Sequence, residues 1–221
     1  MAGTEPSAMR TESLRRRFRW PLALAMLLAC ATAARASVPD VLHIDPVQSY
    51  AGFSVRLIWW QSVVGQFNDV RGQVRIDPDR RTARVHASIR VDSVVVKPSR
   101  FRERLLGKHF FDVGTYPDIL FVSDPMPLSL LESSHEHLKG TLTLHGVTRP
   151  MTLQLYGAHC PAPHLADCTL RLRGWLDRTR FDMRAYRALV SSRVHLDLVI
   201  HLQAEPEPSP ASSAPARASS S

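Results

Sequence analysis

Residues 110–127, FFDVGTYPDILFVSDPMP, and residues 139–155, KGTLTLHGVTRPMTLQL, decide how this chain folds. Paired aromatics and a Tyr-Pro break lead into the first strand. In the second stretch Leu142, Leu144, Leu153 and Leu155 alternate with Thr141, Thr143, Thr152 and Gln154. A period of two puts the four leucines on one face of a sheet. Between the two runs His145-Gly146-Val147-Thr148-Arg149-Pro150 reads as a turn, so the unit is an antiparallel hairpin with one greasy face.

The same period recurs outward from that hairpin. Ala51, Phe53, Val55 and Leu57 alternate with polar or small residues, as do Val70, Val74 and Ile76, then Ala83, Val85, Ala87, Ile89 and Val91, and finally Val194 to Leu202. Asp77-Pro78-Asp79 supplies a turn. Long one-sided antiparallel strands expose costly edges unless the sheet closes, so the expected fold class is all-β, an antiparallel barrel or tight sandwich. Residues 99–108, SRFRERLLGK, break the period and predict one short helix, with Ser99 as N-cap and Gly107 as stop. Phe101 and Leu105, four apart, would pack downwards, while Arg100, Arg104 and Lys108 form a basic stripe. That stripe reads either as a gate over a barrel mouth meeting anionic head groups or as a solvated face above an apolar plug.

Organisation follows from composition. Arg15, Arg16, Arg17 and Arg19 precede an apolar run, Pro21 to Ala34, too short to span a bilayer, and Ala34-Arg35-Ala36 is a small-x-small cleavage site. Residues 1–36 are therefore expected to be a signal peptide and the mature chain periplasmic. Arg15-Arg16-Arg17-Phe18 also resembles a twin-arginine signal, and Leu27-Leu28-Ala29-Cys30 a loose lipoprotein box that would anchor the chain through Cys30. Loss of the leader removes six Arg and two Glu, lowering the net charge from +8 to +4. So modest an excess, with basic side chains scattered over the presumed outward positions, does not make nucleic acid an expected partner. Residues 205–221, EPEPSPASSAPARASSS, lack apolar periodicity and should form a disordered tail, leaving residues 38–204 as one domain with one core.

Cys160 and Cys168 bracket the tip of an expected hairpin. In an exported chain a disulfide is the favoured reading, against a metal site drawn from His159, Cys160, His164 and Cys168 whose spacings are too loose for zinc. No metal or other cofactor is expected. No Gly-rich phosphate loop, nucleophile elbow or His-Glu-x-x-His motif occurs, and His145 and Arg178 have no identifiable acid or base partner in sequence, so catalysis is not expected. Trp59-Trp60, adjacent at a strand end, predicts exposed aromatic surface suited to a partner or to transient membrane contact. Arg and Trp at the rim permit a homodimer without requiring one.

Five pieces in register resemble the YceI-like family of exported, lipocalin-like polyisoprenoid-binding proteins. They are residues 43–49 with 53–55; 65–72; Arg102, Leu105 and 109–112 with 116–123; 138–150; and 177–183. The chain departs from that pattern at Gln48 and Leu57, where the family often has His, at Arg104 for another His, and at Asp182 for a Gly. The resemblance implies an extended lipocalin-like barrel around an apolar tunnel for an isoprenoid quinone, polyprenyl or fatty-acyl chain. Its candidate lining is Phe53, Val55, Leu57, Phe67, Phe110, Phe111, Phe121, Leu142, Leu144, Trp175, Phe181 and Met183, and its candidate head-group contacts are Arg104, His145 and Arg178. Taken singly such aromatics are more often core, and alternation alone does not distinguish a tunnel from a barrel filled by its own side chains. An exported stress-response or interaction module with a filled barrel is the alternative function.

Overall fold

The computed structural model describes residues 41–58, 61–132, 135–161 and 165–204. The expected leader, Cys30, Trp59-Trp60, His164 and the expected tail lie outside them. The described residues hold twelve strands: β1 (Val41–Ile44), β2 (Tyr50–Leu57), β3 (Ser62–Phe67), β4 (Val70–Asp77), β5 (Thr82–Arg90), β6 (Val94–Lys97), β7 (Asp118–Ser123), β8 (Met126–Pro127), β9 (His137–Leu144), β10 (Val147–His159), β11 (Thr169–Asp177) and β12 (Val190–Ala204). The pairing order β1-β4-β5-β7-β9-β10-β11-β12 returns to β1, so eight antiparallel strands close a barrel. From β12 the sheet also continues through β2 and β3 to β6.

Those two paths are two storeys of one wall. β12 pairs β1 near its C-terminal end and β2 over the rest of its length, β4 follows β3, and β6 follows β5. Three wall positions are thus single strands interrupted once, which lengthens the barrel along its axis. The break between β1 and β2 is built by Asp45. Its Oδ1 accepts from the Val47 and Gln48 amides (2.7 and 3.4 Å) and its Oδ2 from the Gln48 side chain (2.9 Å). Ser49 Oγ then accepts from the His201 amide at 2.9 Å, tying the break to β12. Gln48, a departure from the family pattern, is thereby a partner of the turn carboxylate.

The Val47 amide, against the opposing cost of burial, and the Gln48 side chain hold the Asp45 carboxyl below its ordinary value of 3.8. A group depressed in the folded state stabilises above its unfolded value and loses that contribution as pH falls through the folded one. The stability gap between wild type and Asp45→Asn should therefore be constant above about pH 5 and shrink below pH 3.8. Urea unfolding at several pH values checks this, and a gap that widens in acid contradicts it.

Alternation explains the wall. Leu142, Leu144, Leu153 and Leu155 are all buried, as the hairpin pattern requires. Val147 pairs Leu144 across a two-residue turn in which His145 and Gly146 both take left-handed backbone, φ 52° and 72°. That is the twist-matched geometry of tight hairpins. Gly65 faces inward from β3, where an added Cβ would lie 2.5 Å from the Phe53 ring. The missing side chain is what lets Phe53 lie across the interior.

The predicted helix is shorter than its sequence suggests. Ser99–Phe101 is a 3-10 turn that continues as α1 (Arg102–Leu106), and Gly107 ends it in extended backbone, donating to the Arg104 and Glu103 carbonyls. Ser99 does not cap α1. It stands inside the preceding turn, and no side-chain cap bond forms at either helical start. β6 pairs only β3 among the described residues, and the connection from β6 to β7 brings α1, Phe110 and Phe111 against the interior.

Cys160 and Cys168 form a disulfide beside the last β10–β11 pair, His159 with Thr169. Both thiols are thereby removed from any metal-ligand set. Because the bridged residues are 8 apart, closing so short a loop contributes about 2.5 kcal/mol in the chain-entropy account. Cys160→Ala/Cys168→Ala should show that loss in denaturant unfolding, while an unchanged midpoint would contradict it.

Candidate functional site: an apolar barrel interior

Two inner cavities lie along the barrel axis, with volumes of about 110 and 90 Å³, and their walls present only apolar surface. Ile89, Leu142 and Leu198 border both and form a waist between them. A water-sized group needs roughly 10–15 Å³ on this measure, so each cavity has room for on the order of six to eleven. The upper cavity adjoins an open groove of about 280 Å³ at the barrel mouth, sharing Val55, Leu105, Phe110 and Val190 with it. Upper and lower chambers and mouth therefore adjoin in series.

The upper chamber is aromatic. Phe53, Phe67 and Phe111 meet with ring centroids 5.5 to 6.5 Å apart, and Phe67–Phe111 is edge-on. Phe110 stacks on Tyr186 at 5.9 Å, linking the chamber to the mouth. The lower chamber is walled by aliphatic and Met side chains, with Phe121 its one aromatic among the described residues. Rigid rings line the upper chamber and mostly branched chains the lower, and these apolar walls offer no directional contacts.

Sequence-predicted residues fall into three groups. Phe53, Val55, Phe67, Phe110, Phe111, Leu144 and Met183 line the upper chamber, Phe121 the lower, Leu142 both, and Leu57 the mouth. Phe181 is buried in the core but lines neither chamber. Trp175 is a correction: it is 59% exposed on the outer face, with the Arg193 guanidinium 4.8 Å from its ring. Leu170, Leu172 and Leu176 take the inward positions of β11, which leaves Arg171, Arg173 and Trp175 outside. The alternation carried that answer, and the residue type obscured it.

The head-group candidates also part company. Arg104 stands at the mouth, its guanidinium 5.9 Å from the Tyr186 ring. His145 lies in the hairpin turn against Tyr116, centroids 4.9 Å apart, with neither ring nitrogen hydrogen-bonded, and it borders none of the three spaces. Arg178 borders the upper chamber and is 3% exposed. Its Nε donates to Ser191 O at 3.0 Å, Nη2 to Val190 O at 3.0 Å, and Nη1 to Ala185 O at 2.9 Å and to Met183 O. Its hydrogen-bond partners are thus backbone carbonyls, and it makes no salt bridge among the described residues. Burial pushes its pKa down, opposed by the nearby Asp177 carboxylate. What it holds is the loop between the 3-10 turn Arg178–Phe181 and β12. Asp182 in that loop has φ 58°, a left-handed backbone suited to the Gly found in the family.

Sequence reasoning missed the aliphatic walls. Ile89 and Leu198 at the waist, Val190 at the mouth and most of the lower chamber were not among the expected lining residues, while Leu105 was expected to pack downwards from the helix without being assigned to a site. The inward phase of the strands was the available signal, with Ile89 on β5 and Val190 and Leu198 on β12.

Residues 42–202 match the description YceI-like domain. Curated relatives include the UPF0312 protein of Shewanella oneidensis, 27% identical over 168 residues, covering 72% of this chain and 84% of that protein. The corresponding protein of Shewanella putrefaciens is 26% identical over 178 residues, covering 77% and 90%. Among solved structures, Burkholderia cenocepacia BcnA superposes with a TM-score of 0.59 at 20% identity, over 72% of this chain and 98% of that one. A polyisoprenoid binding domain from Saccharophagus degradans gives 0.53 at 16%, over 74% and 98%. At those identities the structures speak for a shared fold. The match over residues 42–202 spans nearly the whole barrel, and on it the chain belongs to the YceI-like domain family.

Proposed function

We propose that this chain is a non-catalytic binding protein of the periplasm that sequesters or carries one long-chain amphiphilic lipid, of isoprenoid quinone, polyprenyl or fatty-acyl type. The observation that supports this reading best is the pair of wholly apolar chambers adjoining the mouth. A polyisoprenoid binding domain among the structural neighbours agrees with it. Among the described residues Arg178 is the only ionisable one bordering either chamber, and its donors already serve four carbonyls. No set of convergent groups there could take acid, base and nucleophile roles.

Energetics favour retention by burial alone. At about 0.8 kcal/mol per buried CH₂, a dozen carbons supply about 10 kcal/mol before the cost of ordering the guest. Selectivity then comes from chain length and shape, and the head group remains at the mouth. Delipidated protein should bind a homologous series of chains with affinity rising about four-fold per added CH₂ until the lower chamber is full, then levelling off. Calorimetry or fluorescence titration reads this directly. Affinity independent of chain length would refute burial as the driving force and favour a barrel filled by its own side chains.

A further inference from the structure

We propose that the open end of the barrel is a docking face for an anionic phospholipid bilayer, which the protein meets mouth first. Charge is segregated along the barrel axis. Residues 97–109 and 182–189, two described segments at the mouth, carry seven exposed cations, Lys97, Arg100, Arg102, Arg104, Lys108, Arg184 and Arg187, of which Arg102 donates to the Val94 and Asp92 carbonyls. Only two exposed carboxylates, Glu103 and Asp182, stand among them, and Asp182 is paired with Arg184 at 3.2 Å. At the opposite end the described turns between strands reverse the balance, with Asp79, Asp124, Glu136 and Asp167 against Arg80 and Arg81. A molecule polarised in this way is turned by a negative surface so that its mouth faces that surface.

The apolar surface lies inside the cationic ring. Ile58, Tyr186 and Leu189 are 42%, 45% and 54% exposed, and all three line the mouth groove. The Ile58 amide donates to the Leu189 carbonyl at 3.0 Å, so these two side chains stand together on linked backbone. Tyr186 is held between Phe110 and the Arg104 guanidinium. Greasy side chains at the centre of a basic rim suit the boundary between head groups and acyl chains, where each supplies what the other lacks. Because the groove shares Leu105 and Val190 with the upper chamber, docking there would set the chamber entrance against bilayer hydrocarbon. That consequence rests on the lipid-binding reading above, whereas docking itself does not.

Co-sedimentation of the purified protein with vesicles tests this. The wild type should pellet with phosphatidylglycerol-containing vesicles and not with pure phosphatidylcholine. Raising the salt towards 1 M, where screening acts within about 3 Å, should weaken the interaction. Each cation near an anionic surface is worth about a five-fold change in binding, so Arg100→Glu/Arg187→Glu should weaken it by at least about 25-fold. The same exchange at the far end, Arg80→Glu/Arg81→Glu, should leave it unchanged, and Leu189→Ser should lower it independently of salt. The lipid content of Arg100→Glu/Arg187→Glu should equal that of wild type. Docking is overturned if the wild type fails to pellet with anionic vesicles or pellets equally with both kinds, or if the far-end variant loses as much as the mouth variant. Docking without any extractable guest would sustain this proposal while removing the carrier reading, and a bound guest without docking would do the reverse.

Discussion

Arg178→Met should lower the unfolding free energy by about 3 kcal/mol and the melting temperature by roughly 6–12 °C for a domain of this size. The methionine fills similar volume but leaves the carbonyls of Met183, Ala185, Val190 and Ser191 without the donors they now have. Each buried acceptor left bare costs about 1–3 kcal/mol. The total stays below the simple product because removing a buried cation also removes its desolvation cost, which is already visible in the lowered Arg178 pKa. Arg178→Lys should recover only part of the loss, because an ammonium has three donors and no planar fork with which to reach four carbonyls. The loop held by Arg178 carries Met183 and leads to Val190, both on the chamber wall, so guest exchange should quicken in Arg178→Met. Thermal unfolding within 2 °C of wild type would show that the arginine does not organise this end of the barrel.

Leu142→Trp should shorten the longest chain the protein can hold. Leu142, with Ile89 and Leu198, forms the waist between the chambers. An indole at that point closes the lower chamber to any guest entering from the mouth. Losing on the order of six methylenes of burial at about 0.8 kcal/mol each costs about 5 kcal/mol, more than a thousand-fold in affinity for a long chain. Chains that end above the waist should bind as they do to wild type. Overpacking should take about 1–3 kcal/mol from stability, small enough to leave a folded protein for titration. Unchanged affinity for the longest chains would mean that no guest passes Leu142.

The parts of this molecule that were legible in the sequence are those where one rule acts alone. The β9–β10 hairpin, β4, β5 and β12 follow a period of two because one face meets the interior and the other meets water. β3 and β6 escaped that rule for local reasons. Val64 and Val95 are about half exposed beside inward valines, so SVVGQF and VVVK show no polar alternation, and Gly65 leaves an inward position without a side chain. β1 and β8 span only four and two residues, too few for a period to declare itself.

Site residues divide along the same line. The aromatic chamber could be anticipated from residue type, and the waist could not, because what distinguishes Leu142 from Leu144 or Leu153 is its height in the barrel. Height depends on register between strands, and register is set by pairings such as Phe121 with Leu142 that no local pattern encodes. Arg178 misled for a related reason. Its partners come from a loop and a strand start that reach it only after the chain has folded, and they are carbonyls, which sequence does not mark.

Native mass spectrometry of the freshly purified protein is the most direct measurement of what the interior holds. The expected species is heavier than the polypeptide by one apolar guest, lost on extraction into organic solvent and regained by adding a long-chain prenyl or acyl lipid. A protein that flies at the bare polypeptide mass, and stays there after incubation with such lipids, would contradict it.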